Sequence, residues 1–379
     1  MKTWARHSLA FLDSEKSGGI ILACCTVLSL VLANVMFDGT YSHFWHLKLF
    51  SKPIEFWVND GLMTIFFLQV GLEIEREVYV GELKHIKSAL LPMLAAVGGM
   101  LAPAAIHFAF NHGIASQSGY GIPMATDIAF SLGVLSLLGN RVPLSLKIFL
   151  TALAIIDDLG AILLIAIFYS SDISWMYLGF ALGIFVLLIA LNRSAVQSLW
   201  VYVLPGCVMW FCMQRSGVHP TITGVLLAFT IPFKSGNEAS PSTLLQHRLH
   251  WPVTFVILPL FALANTAVQF QHTTFSEETA RNSLGIIIGL VLGKPVGILL
   301  FSWLGLKAGW CVLPHTLKLK HIFAVGTLAG IGFTMSIFIA LLAFGDEELI
   351  HSSKVAVLTG SLISAIVGVL CLRAVVSKK

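Results

Sequence analysis

From Ile148 to Tyr169 the chain reads IFLTALAIIDDLGAILLIAIFY, an almost unbroken apolar run whose only charges, Asp157 and Asp158, fall near its middle. About 20 apolar residues in a helix, rising about 1.5 Å each, are enough to cross the hydrocarbon core of a bilayer. An ionised carboxylate at that depth costs roughly 2.5–3.5 kcal/mol even on insertion scales, and two side by side also repel. A pair kept protonated and hydrogen-bonded to neighbouring helices would meet that constraint with no further function. Ionisable groups inside membranes more often mark ion or proton routes. A small monovalent cation neutralises such a pair as a proton does, and carboxylate oxygens are hard ligands that suit it. Proton and cation then compete for one site.

The rest of the chain extends this environment. Hydrophobic residues make up 57% and charged residues 11% of the 379, with mean hydropathy +0.87, against about 25% charged in soluble proteins. We expect an all-α polytopic membrane protein with one transmembrane domain over residues 1–379. The net charge of +4 is no argument for nucleic acid, because in a membrane protein the placement of Lys and Arg matters more than their sum. The opening MKTWARHSLAFLDSEKSGG mixes acids with bases and lacks an A-x-A-like site, so no cleaved signal peptide is expected. Cys24, Cys25, Cys207, Cys212, Cys311 and Cys371 form no C-x-x-C motif, most lie in apolar runs, and they read as small core residues. No cofactor is implied.

Hydropathy predicts about twelve spans. They begin near Gly18, Phe56, Ala89, Gly119, Ile148, Trp175, Leu199, Gly217, Trp251, Ser283, Val325 and Val355, the seventh and eighth being short. Between the first two, Met36 to Phe56 includes the alternating HFWHLKLF, a candidate extramembrane hairpin. The second span carries Asp60 near one end and Glu73, Glu75, Arg76 and Glu77 at the other. Glu73 and Glu77 share a helix face and Glu75 points elsewhere, a pattern that fits a solvated helix end or a sensor. His219, in RSGVHPTITG, serves a turn or responds to pH. Most Lys and Arg fall in alternate connections, which places both termini in the cytoplasm.

Two spans are broken. GYGIPMATDIAFSLGVLSLLG (Gly119–Gly139) has early Gly and Pro, then Thr126 and Asp127 as a helix N-cap. VGTLAGIGFTMSIFIALLAFG (Val325–Gly345) repeats the scheme, with Thr334 after its glycines. Interrupted segments in corresponding places of two halves point to a transporter site near the midplane. Spans three to five and ten to twelve, approximately 89–169 and 283–372, would be inverted-topology repeats, since an offset of seven spans reverses orientation. Lys294, central in the tenth span, should face a carboxylate rather than snorkel.

These motifs, SGGIILA at Gly18, NDGLMTIFFLQVGLEIERE around Asp60, ATDIAFSLGVL, LAIIDDLGAI, SGVHPTITG, GKPVGI and GIGFTMSIFIA, resemble in order the NhaA sodium/proton antiporters, themselves a standard example of inverted-repeat transporters. The resemblance covers nearly the whole chain. It implies a secondary antiporter of the bacterial inner membrane that exports Na+ or Li+ in exchange for protons, electrogenic and pH-regulated. Asp157 and Asp158 would be the transporting carboxylates that hold the cation, with Thr126 beside them. Lys294 and Asp127 would compensate charge at the crossed broken helices. Glu73, Arg76, Glu77 and His219 match positions linked to pH response. Gln246 stands where the family pattern has a glutamate of that cluster, with His247 and His250 alongside. A homodimer joined through the hairpin at 36–56 is also implied.

Other functions remain open on the residues alone. A sodium-coupled symporter shares broken helices but needs a substrate cavity with additional polar groups. An intramembrane aspartyl protease needs its two carboxylates on separate helices and a G-x-G-D motif. Here the carboxylates are adjacent and that motif is absent.

Overall fold

The computed structural model describes residues 2–35, 39–84, 86–169, 172–234, 240–269, 276–314 and 316–376. Its first elements are α1 (Lys2–Val35), α2 (Thr40–His46), β1 (Lys48–Leu49), β2 (Lys52–Pro53), α3 (Ile54–Phe56) and α4 (Met63–Tyr79). Then come α5 (Ile86–Asn111), α6 (Ile128–Leu137), α7 (Leu144–Phe168), α8 (Trp175–Arg193), α9 (Trp200–Ser216) and α10 (Ile222–Ala228). The chain continues with α11 (Pro241–Pro252), α12 (Leu258–Asn265), α13 (Glu277–Ile288) and α14 (Lys294–Lys307). It ends with α15 (Leu319–Ala329), α16 (Phe333–Ala343) and α17 (Glu347–Val375). Turns of π-helix at Trp57–Leu62, Val253–Ile257 and Gly289–Gly293 join neighbouring helices without ending them.

The protein is an all-α polytopic membrane protein. Among the described residues, seven helices are long and apolar enough to cross a bilayer, and two bent pairs add two interrupted spans. The first pair is the 3₁₀ segment Ala115–Met124 with α6, bent by 44°, and the second is α15 with α16, bent by 53°. Ile54–Tyr79, α9 and the two-turn α10 are the helical segments found where the second, seventh and eighth spans are expected. Several helices start well before the apolar run that reveals them: α13 at Glu277, α15 at Leu319, α17 at Glu347. Capping is the reason for α13 and α17, since Ser276 accepts from Thr279 N, and Asp346 accepts from Glu348 N and Leu349 N. Polar first turns so satisfied extend a helix beyond the hydrocarbon. In the 36–56 segment, β1 pairs antiparallel with β2, Lys48 opposite Pro53 and Leu49 opposite Lys52; residues 36–38 lie outside the described residues.

Contacts divide the chain into two compact units, one of Met1–Ser42, His85–Ala161 and Ala262–Lys379, the other of His43–Lys84 and Ile162–Phe261. In the second, α10 and α11 pack on α4 and α8 packs on α9. Its core gathers Leu72, Leu188, Tyr202, Met209 and Leu227. In the first, α14 packs along α5, while α13 and α15 both pack on α17. The α5–α14 crossing is a backbone contact: a Cβ on Gly98 would sit 2.2 Å from the Gly297 carbonyl oxygen, and one on Gly297 2.1 Å from that of Gly98. Only glycine permits such an approach.

Candidate functional site

α7 reaches the middle of the first unit as an uninterrupted helix, so Asp157 and Asp158 arrive there at 1% and 0% exposure. The other parts of the site come from breaks. The 3₁₀ segment stops at Met124, and Ala125 is extended (φ −75°, ψ 152°) before Asp127 caps α6. The break at 330–332 divides α15 from α16. Every break leaves unpaired N–H groups on one side and carbonyls on the other, with no water in the bilayer core to satisfy them.

The two breaks satisfy each other. Asp127 N donates to Ile331 O at 2.7 Å. One carboxylate serves both helix starts: Asp127 Oδ1 accepts from Phe130 N at 2.8 Å, and Oδ2 accepts from Thr334 N at 3.1 Å and from the Thr334 hydroxyl. Hydroxyls take the carbonyl ends, Ser131 donating to Leu328 O at 3.1 Å and Ser336 to Ile122 O at 2.6 Å. The positive ends of two half-helices thus face one negative group, the arrangement a helix dipole favours.

Lys294, 0% exposed, lies at the start of α14 immediately after the π turn Gly289–Gly293. Its Nζ stands 2.9 Å from Asp157 Oδ2 and donates also to the Met124 carbonyl that ends the 3₁₀ segment. The two roles expected of this lysine, pairing with a carboxylate and compensating a broken helix, fall on one ammonium group. Thr126 Oγ1 is 2.8 Å from the same Asp157 oxygen and 3.0 Å from Ala329 O. A hydroxyl has one proton, so it donates to one of these acceptors at a time. Asp157 Oδ1 is buried with no hydrogen-bond partner among the described residues. An acceptor left in that condition is suited to receive a proton or a cation. Among the described residues no group of three His, Cys, Asp or Glu could hold a resident metal.

The residues matched to pH response separate into two places. Glu73, Arg76 and Glu77 lie at the end of α4, against which α11 brings His247 and His250. There Gln69 Nε2 donates to Glu73 Oε1 at 2.8 Å, and Arg76 Nη2 is 3.5 Å from Glu77 Oε1. His219 is elsewhere. Its Nε2 is 3.6 Å from Asp60 Oδ1 and its Nδ1 2.7 Å from Thr221 Oγ1. Asp60 and Glu77 are near opposite ends of one helical path, about 25 Å apart at about 1.5 Å per residue. Burial holds the His219 imidazole down at about 4.

Glu75, set apart from the Glu73/Glu77 face by its helical spacing, has a partner that the sequence did not indicate. It is 5% exposed and accepts a 2.6 Å hydrogen bond from Ser242 of α11, beside the buried Gln246. Helical spacing separates Glu75 from the Glu73/Glu77 face, but nothing in that spacing says which face is covered. Thr334 was visible as the partner of the second break, yet its bond to Asp127 joins positions too distant to pair by pattern.

A polytopic helical fold with a buried carboxylate pair, a buried lysine and two crossed interrupted helices defines a secondary transporter of small ions, not an enzyme. The Na+/H+ antiporter 1 family description matches residues 9–372. The chain is 56% identical over 364 residues to the Na(+)/H(+) antiporter NhaA of Flavobacterium psychrophilum, covering 96% of this chain and 94% of that one. It is 55% identical over 366 residues to the protein of that name from Dechloromonas aromatica, covering 96% and 94%. With Na(+)/H(+) antiporter NhaA 1 of Klebsiella pneumoniae, identity is 48% over 385 residues and 98% of both chains. The chain belongs to the Na+/H+ antiporter 1 family.

Proposed function

We propose that this Na+/H+ antiporter carries its ions on Asp157 and Asp158, the proton and Na+ or Li+ taking turns at the pair. The observation that carries this reading is the contact of Lys294 Nζ with Asp157 Oδ2 at 2.9 Å, both side chains fully buried. A cation arriving at the pair brings positive charge beside an ammonium group and competes with it for Asp157. Protonation of the carboxylates removes the ligand. Neutralised by either ion, the site can reorient between the two faces of the membrane; emptied of both, it carries buried negative charge that resists movement.

Thr126 offers a hydroxyl oxygen beside Asp157. Lys294 and Asp127 hold the crossed ends in place. The interrupted helices support inverted repeats at approximately 89–169 and 283–372 and alternating access around a fixed site. Two carboxylates exchanging protons for one monovalent cation make transport electrogenic. The protein exports Na+ from the bacterial cytoplasm across the inner membrane, with both termini inside and a homodimer formed through the 36–56 hairpin. pH regulation falls to Glu73, Arg76, Glu77, His247 and His250 at the α4–α11 end and to His219 at the other.

The test uses everted vesicles holding a preformed acid-inside pH gradient. Addition of Na+ or Li+, but not K+, collapses the gradient. Collapse by none of these cations would rule out the assignment, and collapse requiring an added organic solute would favour a sodium-coupled symporter.

A further inference from the structure

A cleft lies away from the ion site, where α14 and the ends of α15 and α17 meet. Its volume is about 480 Å³ and its walls include Leu299, Trp303, Leu319, Lys320, Phe323 and Val375. That size lies within the roughly 300–1,000 Å³ of sites that hold small organic molecules. Trp303 and Phe323 leave substantial ring surface uncovered, at 40% and 36% exposure. Apolar walls of this kind suit a hydrocarbon chain.

The lining itself is apolar, and lysines border it at one end. Lys320 forms part of the wall, Lys307 Nζ lies 5.0 Å from the Trp303 ring centroid, and Lys318 immediately precedes α15, two residues before Lys320. No Asp or Glu occurs from Thr279 to Gly345 or from Leu349 to Lys379. The nearest acids of α17, Glu347 and Glu348, begin that helix, about 40 Å from Val375 at about 1.5 Å per residue. The positive charge at the cleft therefore has no protein counter-charge on the helices that build it. A tryptophan and lysines at one end of an apolar trough mark the boundary between hydrocarbon and head groups.

We propose that this cleft binds an anionic phospholipid, with an acyl chain along Leu299, Phe323 and Val375 and the phosphate against Lys307 and Lys320. The apolar walls select a lipid over a soluble phosphate, and the uncompensated lysines select an anionic lipid over a zwitterionic one. The site is independent of the ion-exchange reading.

Native mass spectrometry of the full-length protein from detergent containing equal amounts of phosphatidylglycerol and phosphatidylcholine measures the selection. Wild type should retain phosphatidylglycerol in preference. In K307Q/K320Q the preference should fall about fivefold for each lysine removed, with phosphatidylcholine retention unchanged. A second readout does not depend on that variant folding. Brominated phosphatidylglycerol should quench the fluorescence component lost in W303F, and glycerol 3-phosphate should not relieve the quenching. Equal retention of the two lipids by wild type, an unaltered preference in a folded K307Q/K320Q protein, or an unquenched Trp303 component would overturn the proposal.

Discussion

Ser131 and Ser336 hold equivalent places in two half-helices. Each is the fourth residue of its helix, and each donates to a carbonyl near the end of the opposite broken segment, at 3.1 Å to Leu328 and 2.6 Å to Ile122. Replacing Ser336 by Ala removes the bond to the buried Ile122 carbonyl, at a cost of about 1–3 kcal/mol, whereas in S131A the Leu328 carbonyl keeps its bond from Ile331 N at 3.0 Å. We expect S336A to lower the thermal midpoint in detergent more than S131A does, and the double variant to depart from additivity because both act on one crossing. A loss confined to one of them would show that the crossing is not held from both sides.

Exchange should disappear in D158N, and in D157N it should either disappear or change its electrogenicity. An amide neither binds a proton nor holds a cation by charge. Na+-dependent proton movement in everted vesicles measures both variants, and wild-type exchange by D158N would refute the assignment.

Lys294 serves two acceptors, the Asp157 carboxylate and the Met124 carbonyl. K294A should therefore destabilise the protein in two separable parts. Breaking a buried ion pair costs about 3–5 kcal/mol, mostly from the charge left behind, and a D157N background removes that share. The carbonyl share remains, so the double-mutant cycle should recover much of the loss but not all of it. Full recovery would leave the Met124 contact without energetic weight.

At Asp127 the accepted bonds come from Phe130 N, Thr334 N and the Thr334 hydroxyl. Asparagine keeps one carbonyl oxygen, so D127N should retain measurable exchange while losing about 0.5–2 kcal/mol of stability, the usual range for a damaged cap. Loss of exchange as complete as in D158N, in a folded and inserted protein, would move Asp127 into the transport site.

The apparent KM for Na+ should rise as pH falls, because the proton takes the ligand that Na+ needs. A maximal rate that varies with pH at constant KM would instead assign the dependence to a sensor at the α4–α11 end.

His219 gives a pH dependence of stability with a definite sign. Folded, its imidazole is held by burial at about 4 against an ordinary 6.5, even with the Asp60 carboxylate 3.6 Å away. Between those values the unfolded chain binds the proton and the folded chain does not, so stability falls as pH drops from about 6.5 toward 4. On going from pH 8 to pH 5, wild type should lose more of its thermal midpoint than H219Q. A greater loss in the variant would mean that protonated His219 is stabilised by Asp60.

Much of this architecture was legible because membranes leave few choices. Apolar run length gave the spans, Asp157 and Asp158 stood out against their surroundings, and Thr126–Asp127 after Gly and Pro announced a capped break. Helix starts were less legible, since the polar first turns after Ser276 and Asp346 look like loop until their caps are seen. Pairings to backbone were invisible: the Met124 carbonyl that receives Lys294 has no side-chain signature. Glu75 and Ser242 meet across 167 positions of sequence, where no local period connects them.

The glycine crossing of α5 and α14 sets a tolerance for the ion chemistry. Gly99 follows Gly98, and a Cβ there would lie 3.8 Å from Lys294 Cε. The reach of the ammonium group is thus measured from two backbones in contact rather than from packed side chains, which can shift rotamers to absorb a change. A methyl group at Gly98 or Gly297 would force the helices apart and draw Lys294 away from Asp157, and misplacements of about 1 Å already cost about a hundredfold in sites that depend on alignment. Two absent methyl groups calibrate the distance between the lysine and the carboxylate.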